Sequence, residues 1–163
     1  MERRPILIGA GVLVVLLAAF GMYSLFRAPF EVRSARVVSE IPGMVSGREL
    51  AFARLKLARP EEAKIVVVTL RWNRASNEID SSEFALRFTA QGAERTGQVW
   101  AICLSDEPEP LCGTWMVAES GEDISIQGYH SDYAHLGFIV PTTVEQATLL
   151  FKGEAIGSVN VRH

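Results

Sequence analysis

The chain has 163 residues, with 16 Lys and Arg against 19 Asp and Glu, two Cys and three His. One acidic and three basic residues fall within the first 30, so the remainder carries a net charge of −5 with no Lys/Arg block. That balance argues against nucleic-acid binding and against adhesion of this part to anionic lipid.

Residues 1–4 read as a short cytoplasmic N-terminus and residues 5–27 as a single transmembrane anchor helix. No charge interrupts the run from Pro5 to Phe26. About 20 apolar residues rising 1.5 Å each cross a hydrocarbon core. Pro5 fits a first helical turn. Phe20, Tyr23 and Phe26 belong to the anchor, the last two near its far end, where rings favour the headgroup level. The run is longer than the apolar core of a signal peptide, and no small-x-small cleavage site follows it. The expectation is an uncleaved signal anchor, with the lipid bilayer as first partner. Arg3 and Arg4 on one side nearly balance Arg27, Arg33 and Arg36 on the other. Orientation therefore rests on the cysteines, which favour an oxidising compartment. The expected place is a bacterial inner membrane, crossed once, with the C-terminal domain in the periplasm or outside.

Residues 28–47 read as a linker and a first strand, Glu31–Ser39, ending in a Pro42-Gly43 turn. Residues 48–163 read as an all-β domain. Arg48–Ala58 reads as a strand, because Leu55 and Leu57 alternate with Arg54 and Lys56. A helix is the alternative, since Ala, Leu, Arg and Lys are good helix formers. Lys64–Asn73 reads as a central strand, with Val66, Val68, Leu70 and Trp72 on one face and a second face that turns polar at Thr69 and Arg71. Asn73–Ser82 reads as a polar connection and Glu83–Thr89 as a strand. Gln91-Gly92 and Thr96-Gly97 bracket a turn. Gln98–Leu104 and Cys112–Ala118 read as two strands joined by an acidic, proline-containing tip. Asp123–Tyr129, Tyr133–Val140 and a final hairpin around Gly153 follow. About nine short strands with turn signals between them predict an antiparallel β-sandwich.

"KIVVVTLRWNRASNEIDSSEFALRFTAQG" at Lys64–Gly92 and "GFIVPTTVEQATLLFKG" near the C-terminus resemble a bacterial Ig-like family of unknown function. The shared features are a Val-rich strand ending in Asn, a Ser-x-Phe-x-Leu strand closing at Gly, and a Val-Pro before the last apolar strand. The resemblance covers most of residues 48–163. It implies an Ig-like sandwich, tethered to the outer face of a membrane, without enzymatic chemistry. The two cysteines and the unlipidated anchor depart from the family pattern.

Cys103 and Cys112 flank a short loop, and adjacent strands could bring them within bonding range. A disulfide is expected. Buried free thiols are the alternative, and two thiols without further ligands make a poor metal site. His130, Asp132 and His135 form H-x-D-x2-H, but residues five apart in an extended segment face opposite ways, so solvated turn residues are expected. Asp106, Glu107 and Glu109 make an acidic tip available to a partner. No nucleophile elbow, phosphate loop or HExxH appears, and no cofactor is expected. The expected role is a non-catalytic, single-pass subunit whose outer domain docks on and stabilises a larger membrane complex through other integral membrane subunits. A free-standing, membrane-tethered ligand-binding or sensor module is the alternative.

Overall fold

The computed structural model describes residues 29–57, 62–72, 78–110 and 112–162, without the side chains of 45–47, 52 and 53. The expected anchor, with Pro5, Phe20, Tyr23 and Phe26, lies outside the described residues. Among the described residues no helix is long and apolar enough to cross a membrane.

The elements in chain order are β1 (Phe30–Val38), α1 (Val45–Leu55), β2 (Ala63–Trp72), β3 (Glu78–Asp80), β4 (Phe84–Ala90), β5 (Ala93–Ser105), β6 (Met116–Val117), β7 (Ser125–Gln127), β8 (Tyr133–Pro141), β9 (Gln146–Phe151) and β10 (Glu154–Asn160). The fold is mostly antiparallel sheet, as expected. Its main sheet runs β1-β2-β8-β5-β4-β9-β10, with β6 added to β5, while β3 and β7 pair separately. The long strand β5 links the two halves. Its first part pairs with β4, and its later part, from Val99 on, pairs with β8 through a bulge between Val99 and Ala101. A bulge bends and twists the strand that carries it, so one strand can serve both layers of a sandwich or barrel.

The two ends of the path meet. Six antiparallel steps separate β1 from β10, so the two strands run in the same direction. They close by packing: a Cβ on Gly157 would lie 2.7 Å from Val32 Cγ2. At one end of this seam Phe30 packs against Trp72, tilted, and edge-on against Phe84 and Phe151, at ring centroid distances of 4.4, 5.1 and 5.4 Å. At the other end of the barrel the buried Lys64 donates to the Val161 carbonyl at 2.5 Å and holds the C-terminal segment in place. Burial pushes its pKa down, against the attraction of Glu145. Gly157→Ala should lower stability by about 1 kcal/mol or more, because a β-branched valine has little rotamer freedom with which to retreat. Urea unfolding checks this, and an unchanged midpoint would mean that the seam is loose.

Several sequence readings need correction. Residues 45–55 form α1, not a strand. Met44 accepts from the Arg48 amide at 3.0 Å to start the helix, and the Arg95 guanidinium donates to the Leu55 carbonyl at 3.3 Å at its end. A cation at a helix C-terminus satisfies a carbonyl that the helix itself leaves open. Lys56 then turns out at φ 55°, so the Leu55/Leu57 alternation straddles a helix end. Thr96-Gly97 is no turn, because β5 runs through it and the hairpin is made at Gln91-Gly92 alone. Cys112–Ala118 holds only the two-residue strand β6. Part of the expected polar connection, Glu78–Asp80, pairs with Ser125–Gln127 instead.

The interior is filled from both halves by Val66, Val68, Leu70, Leu86, Phe88, Phe138, Val140 and Leu149. The second face of β2 is buried too. Ile41 sits over Gly137, where a Cβ would come within 2.8 Å of its Cδ1. Met44 and Ala51 are buried beside it. The segment 38–57 thus forms an extra layer on the β1-β2-β8-β5 half.

Candidate docking surface

Directly opposed residues on neighbouring antiparallel strands share a face of the sheet. Thr69, His135 and Cys103 are such register partners on β2, β8 and β5. They form a row beneath the loop 103–112. Cys103 and Cys112 are bonded, with Cα atoms 6.2 Å apart, as the sequence led us to expect. The bond pins that loop to the sheet.

His135 is fully buried, not a solvated turn residue. His130 and Asp132 are exposed, and the three do not converge. Thr69 Oγ1 lies 3.0 Å from His135 Nδ1, and Ser105 Oγ lies 2.8 Å from Nε2. Ser105 Oγ also donates to the Glu107 carbonyl at 2.8 Å. A hydroxyl has one hydrogen, and a carbonyl only accepts. Nε2 must therefore carry the imidazole hydrogen and donate to Ser105, while Nδ1 accepts from Thr69. Burial, and secondarily the Arg36 charge, hold the His135 pKa below its ordinary 6.5, although the Glu107 carbonyl pulls the other way. This is a neutral imidazole that positions a loop. With Nε2 protonated and Ser105 already donating to Glu107, it is not set to take a proton from Ser105. The same bonds explain how Thr69 can be buried on a strand face that was expected to be polar.

Asp106, Glu107 and Glu109 are exposed at the tip of the loop. Glu109 reaches Arg36 on β1 at 3.7 Å, with both side chains largely in solvent. Such a pair contributes little to stability and exchanges partners readily. The tip also has a definite relation to the N-terminus. Ser105, Tyr133, Arg71 and Glu31 are successive register partners across β5, β8, β2 and β1. Three strand spacings of about 4.8 Å put the base of the tip roughly 14 Å from Glu31. The acidic loop therefore leaves the sheet at the end where β1 begins.

Beside the loop lies an apolar groove of about 450 Å³, lined by Val38, Ile41, Pro42, Val67, Cys112 and Trp115, with Glu40 and Pro110 at its margin. Trp115 is half-buried, whereas Trp100 is fully buried and lies under the Arg54 guanidinium. No single stretch of sequence announces the groove, because its walls come from three separate segments. A second, polar groove of about 710 Å³ crosses β5, β4, β9 and β10 and includes Arg87, Thr89, Glu94, Thr148, Ser158 and Asn160. Outward polar side chains are what any solvated antiparallel face presents, so it calls for no ligand. Among the described residues no group of His, Cys, Asp and Glu is arranged to hold a metal ion. Comparison with family models, with curated proteins and with solved structures finds no match, and the surface is read from its own residues alone.

Proposed function

We propose that this protein is a non-catalytic, single-pass membrane subunit whose Ig-like outer domain docks on a larger membrane assembly in the bacterial inner membrane. One observation carries the reading: the disulfide-pinned acidic loop leaves the sheet at the end where the N-terminal segment enters β1. The base of the loop is at that end, and from there the loop runs back over the sheet to bring Glu109 to Arg36 on β1, so its acidic side chains lie along the β1 side of the domain. The apolar run at 5–27 supplies the anchor. The disulfide fits a periplasmic or external domain, since such bonds persist in oxidising compartments. A lone helix gains little from lipid-facing contacts, so a stable subunit needs area buried by the outer domain as well.

Site-specific photocrosslinking on intact cells tests this. A photoreactive residue in place of Glu107 should capture one discrete integral membrane protein. The same residue in place of Thr148, on the opposite half of the barrel, should capture none. Reversing the charges of Asp106, Glu107 and Glu109 together should weaken retention of the subunit in mild detergent while leaving the melting temperature within about a degree, because an exposed tip contributes little to stability. Turnover of a substrate by the purified chain, or equal crosslinking from both positions, would replace the docking reading.

A further inference from the structure

We propose that the groove between the disulfide loop and the 38–42 turn seats an extended segment of a partner polypeptide, with one bulky apolar side chain against Trp115 and Lys or Arg on either side. This rests on the docking reading and names what the docked partner presents.

Three features of the groove point to that occupant. Its lining is mostly apolar: Val67 comes from β2, Val38 from β1, and Ile41 packs over Gly137. Trp115 is partly buried beside it and keeps some of its surface open to the groove. An amphipathic indole at a half-open apolar site is a common centre of binding energy. Next, the walls are fixed before anything binds. Cys112 lines the groove and is bonded to Cys103, and Pro42 and Pro110 stiffen the two rims. Preorganised walls reduce the ordering cost of association. Lastly, the margin is acidic. Glu40 lines the groove, and the loop on its other side carries Asp106, Glu107 and Glu109, the last paired with Arg36. That guanidinium is held by Glu109 only through an exposed contact at 3.7 Å, which a partner cation could replace.

The lining suits an extended chain: it combines an indole, two prolines and aliphatic side chains from β1, β2 and the 40–42 turn. Proline-containing segments enter aromatic-lined grooves with little entropy to lose, which matches a site made of Trp and Pro.

The test uses the full chain in detergent and three synthetic peptides, followed by Trp fluorescence and calorimetry. The first is acetyl-Lys-Arg-Leu-Pro-Leu-Lys-Arg-amide. The second replaces both Leu by Ser, and the third replaces each Lys and Arg by Glu. The first should bind, and the other two should bind at least about tenfold more weakly, the size expected for one buried anchor or a lost charge match. Trp115→Ser should weaken the first peptide by a similar factor. Because Trp115 also packs against the domain, Glu40→Lys provides a second variant: it alters an exposed rim and should weaken the first peptide while leaving the melting curve unchanged. Equal affinity for all three peptides, or no binding by the first, overturns the proposal. If reversing the charges of Asp106 and Glu109 abolishes crosslinking from position 107 while Trp115→Ser and Glu40→Lys leave it intact, the groove proposal fails and the docking reading survives.

Discussion

Replacing Cys103 and Cys112 together by Ser should lower the stability of the domain by about 2–3 kcal/mol, the loop-closure entropy of a ring this small. The two residues are only 9 apart in sequence, so the reduced unfolded chain gains modest but real freedom. Two groups of contacts would still hold the loop in the variant. One is the His135–Ser105–Glu107 chain of hydrogen bonds, and the other is the exposed Arg36–Glu109 pair. Neither fixes Pro110 or Cys112, the side of the loop that lines the groove. The sheet should therefore keep its amide protection while residues 106–112 exchange much faster. Urea unfolding gives the energy, and hydrogen exchange gives its location. An unchanged midpoint would mean that the unfolded chain already holds these residues close together. If the docking surface works as proposed, the same variant should also lose affinity for a basic, apolar peptide, because the groove must then be ordered at the moment of binding.

What the sequence revealed, and what it did not, follows from how far each signal reaches along the chain. Strands β2, β4 and β8 are long enough for a period of two to show, their bounds lie within a residue or two of those expected, and the β9–β10 hairpin turns at Gly153 as expected. The pair β3–β7 was missed because each strand has three residues and a single buried side chain, Ile79 or Ile126. Periodicity has nothing to act on at that length. Helix α1 was misread because its apolar residues do not make a clean stripe. Ala51 is buried while Leu50 is exposed, and tertiary contacts, such as Arg95 on the Leu55 carbonyl, settle the matter. Gly97 looked like a turn but lies inside β5, with the Phe88 ring 3.4 Å from where its Cβ would be. The disulfide was legible because both ends of a short loop carry Cys. The role of His135 was not, because its two partners lie 66 and 30 residues away and only the strand register brings them together.

His135→Leu alone should cost about 3 kcal/mol or more, while the pair Thr69→Val with His135→Leu should recover much of that loss. Leu removes the acceptor for Thr69, which is fully buried and has no water to turn to. Leaving a buried hydroxyl without its partner costs about 1–3 kcal/mol, and the poorer fit of Leu to a cavity shaped for imidazole adds to it. Val in place of Thr69 removes the stranded hydroxyl, and an apolar pair of similar shape is far better tolerated. Ser105 keeps the Glu107 carbonyl in both variants, so the loop base should stay formed. A second signature comes from pH. The folded-state pKa of His135 is lowered and the unfolded value is near 6.5. Above that value the residue is neutral in both states, and its contribution is fully present. As the pH falls below 6.5 the unfolded chain takes up a proton that the folded domain refuses. Stability then drops by up to about 1.4 kcal/mol per pH unit until the folded pKa is reached. The Arg36 charge adds to the lowering, and Glu109 is paired with Arg36. Arg36→Ala should therefore shrink the pH effect without abolishing it. The His135→Leu domain should show a flatter stability profile between pH 7 and 5 than the wild type. If both proteins lose stability in parallel over that range, the acid sensitivity lies in the carboxylates, and His135 does not supply it.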